Sequence, residues 1–115
     1  LTTDVPSISA QIIQYITAAG GITFSNQPFI LISGSNAAVV LTANPQITAG
    51  PATKIIGIQC VGSNVTLVNS SGLALHGGRR FQMQSGSVIS FMRDGTDNLW
   101  RELSRGNVGA SLGEL

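Results

Sequence analysis

The chain has 115 residues and a mass of 11.9 kDa, room for one domain and not for two comfortable ones. Charged residues make up 10% of it, well below the ~25% usual in soluble domains, and with a net charge of +1 nothing suggests the basic stripe that a nucleic-acid binder needs. No run approaches the ~18 consecutive apolar residues of a membrane-spanning helix, and Cys60 stands alone, so no intrachain disulfide is possible.

The first 21 residues read as an N-terminal arm or short helix. Asp4 or Ser7 offers a cap, and Ile8, Ile12, Tyr15, Ile16 and Ala19 recur at helical spacing. Gly20 and Gly21 would end such a helix, because glycine accepts the left-handed conformation at a C-terminus. β-Branched Ile and Thr oppose a helix, since they lose rotamer freedom in one. An extended arm packing on a neighbour is the second reading.

From residue 22 to 105 the pattern changes to short apolar runs separated by turn residues, the mark of an all-β domain. The runs are 22–24, 29–33, 37–42, 53–61, 64–69, 73–75, 80–84, 87–93 and 99–103. Helical connections of βαβ length are absent, so the expectation is a small antiparallel sandwich or barrel-like fold. The run 53–61 holds Cys60, expected as a buried, inert thiol. Gly-Ser-Asn occurs at 34–36 and again at 62–64, each time before an apolar strand. Two separate turns of similar composition account for this, with an internal repeat of a β-coil as the other reading. Val88 and Met92 oppose Ile89 and Phe91, and residues 55–61 are also apolar on both sides. A strand with two apolar faces needs cover on both, and in so small a domain a neighbouring subunit is an economical source. Around Asp94-Gly95 a tight turn is expected, Asp94 and Asp97 bonding their own backbone and Gly95 supplying positive φ. Residues 106–115 read as a loose tail.

Chemistry-bearing groups are sparse. His76, the one histidine, precedes Gly77-Gly78 without the Gly-x-Ser-x-Gly elbow that an esterase reading requires, and a turn histidine is the simpler account. Asp94 or Asp97 with Glu102 could form a glycosidase-like carboxylate pair. The aspartates are already explained as turn formers, and Glu102, between Arg101 and Arg105, reads as part of a solvated ion-pair cluster. No metal-ligand spacing or phosphate-binding loop is present. The expectation is a non-enzymatic protein without catalytic residues, metal or cofactor, and without nucleic-acid or membrane partners. Eight of the eleven charged residues lie between Arg79 and Arg105. They read either as the one solvated face or as a contact using Arg79, Arg80, Arg93, Arg101 and Glu102.

Residues 39–105 resemble small β-domains of tailed-phage virion proteins, both fibre modules and head-decoration proteins. The resemblance is carried by Leu41-Thr42-Ala43-Asn44-Pro45-Gln46-Ile47, Ile55-Ile56-Gly57-Ile58, Asn64-Val65-Thr66-Leu67-Val68 and Gly72-Leu73-Ala74-Leu75. It continues through Phe81-Gln82-Met83, Gly86-Ser87-Val88-Ile89-Ser90-Phe91 and the closing Asp94-Gly95 and Leu99-Trp100-Arg101-Glu102-Leu103-Ser104-Arg105. It implies a homotrimer serving the virion mechanically, on the capsid exterior. A short arm plus one compact domain fits a cement protein that clamps the major capsid protein of the shell. A tail-fibre or spike module binding a receptor or glycan is the alternative, and it requires Trp100, Tyr15 or Phe81 to face solvent. Expected oligomer or partner contacts are Ile12, Tyr15 and Ile16 in the arm, Phe81, Met83 and Phe91 in the strands, and Arg79, Arg80, Arg101 and Glu102 in the charged cluster.

Overall fold

A computed structural model describes residues 12–107. They form nine strands: β1 (Ile13–Ile16), β2 (Phe29–Gly34), β3 (Val39–Val40), β4 (Ile55–Cys60), β5 (Val65–Leu67), β6 (Leu73–Ala74), β7 (Phe81–Met83), β8 (Ser87–Asp94) and β9 (Leu99–Asn107). One turn of 3-10 helix, His76–Gly78, is the only helical element among the described residues. The all-β expectation therefore holds. The strands make a six-stranded sheet in the order β1-β2-β4-β8-β9-β6 and a three-stranded sheet in the order β3-β5-β7.

Pairing is mixed rather than antiparallel throughout. β1, β2 and β4 run parallel, as do β3 with β5 and β6 with β9, while β8 joins β4 and β9 antiparallel. The cause lies in the Gly-Ser-Asn segments. Each carries the chain from a strand of the large sheet to one of the small sheet, so β2-β3 and β4-β5 are two stacked turns of one coil. Phe29 pairs with Gly57 and Ile32 with Cys60, the same offset of 28 positions that separates Gly34 from Gly62. The corners themselves are stitched together: Gly34 N–H donates to Ser63 O at 2.9 Å, and Val39 N–H to Asn64 O at 2.9 Å. The two segments are thus a structural repeat and not two unrelated turns. At Gly34 an added Cβ would meet Ala37 O at 2.2 Å, so the corner accepts only glycine.

The expected N-terminal helix is not formed over its described part. Ile13–Ile16 is a strand, in register with Leu31 to Gly34 of β2. β-Branched Ile13 and Ile16 suit a pleated surface better than a helix. Gln14 locks the strand sideways, donating from Nε2 to Thr23 O at 2.7 Å and accepting from Thr23 N–H at 2.8 Å. Gly21, at φ +72°, ends a turn instead of a helix. The candidate caps Asp4 and Ser7, and Ile8, lie outside the described residues. At the other end β9 continues through Arg105, Gly106 and Asn107, which pair with Ile89, Val88 and Ser87. The strand thus extends into what the sequence reads as tail.

Alternation directs one set of side chains between the sheets. Ile30, Ile32, Ile56, Ile58, Cys60, Val65, Leu67, Met83, Ile89 and Phe91 are buried there, joined by Ile16, Ile22 and Trp100. Trp100 donates from Nε1 to Thr48 O at 3.0 Å and meets Phe24 edge-on, centroids 5.5 Å apart. Buried Gln46 accepts from Val68 N–H at 2.9 Å and donates from Nε2 to Val68 O and to Ser70 Oγ, so its polar ends are matched inside the core.

Candidate functional site

Two surfaces stand out, both built on the large sheet. The first is built on the β8–β9 hairpin. Asp94 Oδ1 accepts from the Thr96 and Asp97 backbone N–H groups at 2.9 and 3.2 Å, as expected of a turn-forming aspartate. Positive φ falls on Asn98 (56°) and not on Gly95; glycine is needed at 95 because a Cβ there would lie 2.7 Å from Ala52 Cβ. Arg101 bonds Asp94 at 2.8 Å and Asp97 at 3.1 Å. The Arg101 guanidinium, with the turn N–H groups, holds the Asp94 carboxyl below its ordinary range.

Glu102 is not solvated. It is 3% exposed, and the reason is a bulge in β9. Ser90 pairs with Ser104 but Phe91 pairs with Glu102, leaving Leu103 as an extra residue. In a regular strand residues three apart face opposite ways; the bulge brings Glu102 and Arg105 onto one face. Arg105 then donates from Nε to Glu102 Oε2 at 2.7 Å and from Nη2 to Oε1 at 2.8 Å. The His76 backbone N–H adds a third bond to Oε1 at 2.8 Å. Those bonds, Arg105 foremost, keep the Glu102 carboxyl below its usual value despite burial, which acts the other way. Arg105 also donates to Arg80 O at 3.1 Å and Arg79 O at 2.9 Å, and lies 4.7 Å over the Phe81 ring. One buried ion pair therefore grips both ends of the turn from His76 to Arg80.

That turn is exposed from end to end. Gly77 and Gly78 have φ +62° and +69°, the left-handed conformation that favours glycine. An open cleft of about 380 Å³ lies beside His76, Gly77, Arg79 and Arg105. A second, of about 620 Å³, is lined by Val40, Leu41, Thr42, Val68, Asn69, Gly78 and Arg80.

The second surface is the outer face of the parallel strands. Ile13 and Tyr15 of β1, Phe29 and Leu31 of β2, and Ile55 of β4 point away from the core, and Val88 and Met92 of β8 continue the patch. Tyr15 is 66% and Ile55 55% exposed, and the Phe29 ring lies across Gly57, where a Cβ would meet it at 2.9 Å. No charged side chain interrupts β1, β2 or β4.

The expected contact residues divide accordingly. Ile12 (80% exposed) and Tyr15 are available, as are Arg79, Arg80 and Arg101. Ile16, Met83 and Phe91 are not: their faces of β1, β7 and β8 point into the chain's own core, at 2%, 0% and 0% exposure. Phe81 is half-buried beneath Arg105, and Glu102 is consumed by its ion pair. Trp100 is fully buried, so of the three aromatics an exposed platform would need, only Tyr15 faces solvent. The sequence reading missed Ile13, Phe29, Leu31 and Ile55; the uncharged alternation across the first three large-sheet strands was the available signal.

Asp94 and Asp97 are held by Arg101 and Glu102 by Arg105, and no group of three or more His, Cys, Asp or Glu among the described residues could hold a metal ion. Together these features define a class: a small two-layer β-coil domain with one uncovered apolar sheet face and one rigid cationic turn. No protein-family model, curated protein or solved structure matches the chain.

Proposed function

We propose that the chain is a non-enzymatic structural protein that works as a homo-oligomer, a homotrimer of the phage-virion type that its sequence resembles. In that setting it acts as a cement protein on the capsid exterior, clamping the major capsid protein. The observation that carries the oligomer is the outer face of β1, β2 and β4. All-parallel sheets occur almost only with both faces covered, and the parallel part of this mixed sheet, β1-β2-β4, has no outer cover over Tyr15 and Ile55. Copies of the same chain supply a neutral, apolar surface of matching character. Linked copies would then grip a shell with avidity that no single contact provides. The fibre- or spike-module reading is left with Tyr15 as its one exposed aromatic, which weighs against it.

Light scattering after size exclusion, over a dilution series, tests the assembly. The expected mass is three times 11.9 kDa, falling to one in Ile55→Lys and Tyr15→Glu. A wild-type monomer at all concentrations overturns the oligomer. A stable trimer that does not bind purified capsids retains the oligomer and removes the cement role.

A further inference from the structure

All six cationic side chains of the protein lie within the described residues, against three carboxylates, Asp94, Asp97 and Glu102. Arg101 takes both aspartates and Arg105 takes Glu102. Lys54, Arg79, Arg80 and Arg93 are left without a carboxylate among the described residues; Arg93 lies over the Trp100 ring, and of the rest only Arg79 and Arg80 stand side by side, both exposed. Their backbone is not free to move. Arg105 binds both of their carbonyls, and the buried Glu102 holds Arg105 and the His76 N–H at once. A merely solvated pair of arginines needs no such support; a recognition surface gains from it, because groups fixed in advance lose less entropy on binding.

The two arginines line different clefts, Arg79 the smaller beside His76 and Arg80 the larger beside Val40, Leu41 and Val68. Successive residues facing opposite sides of a ridge, with an apolar floor on one side, suit an extended chain bearing carboxylates and an apolar side chain. Guanidinium forks match carboxylates in geometry as well as charge. A sugar or a nucleic-acid base would want an exposed ring to stack on, and the one aromatic at this site, Phe81, is covered by Arg105.

We propose that the turn His76-Gly77-Gly78-Arg79-Arg80 and its two clefts form a docking surface for an acidic, extended segment of a partner protein. This surface is separate from the apolar face, so its failure leaves the oligomer reading untouched. The probe is a short fluorescein-labelled peptide of alternating glutamate and valine, titrated with the full chain by anisotropy. Binding that weakens with added salt is expected, reduced about tenfold or more in Arg79→Glu/Arg80→Glu. Arg79→Lys/Arg80→Lys keeps the charge without the fork and should retain part of the affinity. Lys54→Glu, which removes a cation outside the turn and its clefts, should change it by less than about twofold. Because both arginines are exposed, the variants should unfold at the wild-type temperature. No peptide binding, or an equal loss in Lys54→Glu, overturns the proposal. So does tighter binding of a sulfated oligosaccharide or single-stranded DNA through the same arginines, which would assign the turn to another class of ligand.

Discussion

Replacing Glu102 by Gln tests whether the buried ion pair holds the end of the fold. The carboxylate has no exposed side-chain surface and accepts three bonds, at 2.7, 2.8 and 2.8 Å. Glutamine keeps one acceptor oxygen for the His76 N–H but turns an NH2 towards Arg105, opposing donor to donor. Removing one partner of a buried pair costs about 3–5 kcal/mol. Arg105 remains 24% exposed and can recover some hydration, so the lower end, about 3 kcal/mol, is expected here. In a domain of this size that lowers Tm by roughly 12 °C. The pH dependence provides an independent check. Glu102 titrates below its ordinary 4.5 when folded, so its contribution is complete above that value and is lost as pH falls through the lower, folded one. Thermal unfolding by circular dichroism from neutral to acid pH, at fixed protein concentration, should show a shallower acid limb in Glu102→Gln. Some slope remains, because Asp94 is also depressed. A loss under about 1 kcal/mol, or an unchanged acid limb, would refute the assignment of this pair as the clamp.

Deleting Leu103 should remove the bulge yet keep Glu102 and Arg105 on one face, now two apart in a regular strand, so cooperative unfolding should survive; Leu103→Ala, at a 43% exposed position, should cost under about 1 kcal/mol, and urea titration measures both. Gly50→Ala would press a Cβ to 2.7 Å from Phe24 and 3.0 Å from Trp100. A loss of about 1–3 kcal/mol follows, readable from the fluorescence of the single tryptophan, while Gly106→Ala, which meets nothing within 4 Å, should unfold as wild type.

The positions of the strands along the chain were visible in the sequence because each apolar run is short and bracketed by turn residues, and all nine observed strands but β1 fall on such runs; their order and direction in the sheets were not. β1 was read as helix because Ile12, Tyr15, Ile16 and Ala19 match a helical period as readily as Ile13 and Tyr15 match a strand; the pairing with β2, a tertiary contact, decides between them. The repeat was visible as two Gly-Ser-Asn triplets, but only the 2.2 Å approach to Ala37 at Gly34 shows why the corner must recur. The Glu102–Arg105 pair was not legible at all. Spaced three apart in a strand, the two should face opposite sides, and nothing in Leu103 itself announces a bulge. Hence Glu102 was expected in solvent, and the arginines held by the pair were seen only as part of a charged cluster.

The apolar face and the cationic turn make separable demands, and a crossed experiment uses that. The neutral outer face belongs to the parallel coils, where no charged residue interrupts β1, β2 or β4; the unpaired arginines sit at the end closed by β9 and the 3-10 turn. Ile55→Lys inserts a charge where another copy would pack and should lower the mass in solution while leaving the affinity of each chain for the acidic peptide unchanged. Arg79→Glu/Arg80→Glu should do the reverse, weakening peptide binding about tenfold or more at unchanged mass. If Ile55→Lys also weakens the peptide, the turn is completed by a neighbouring subunit and the two surfaces are one. If the arginine variant dissociates the oligomer, the acidic partner is this chain itself, and the separation of faces argued from charge and burial fails.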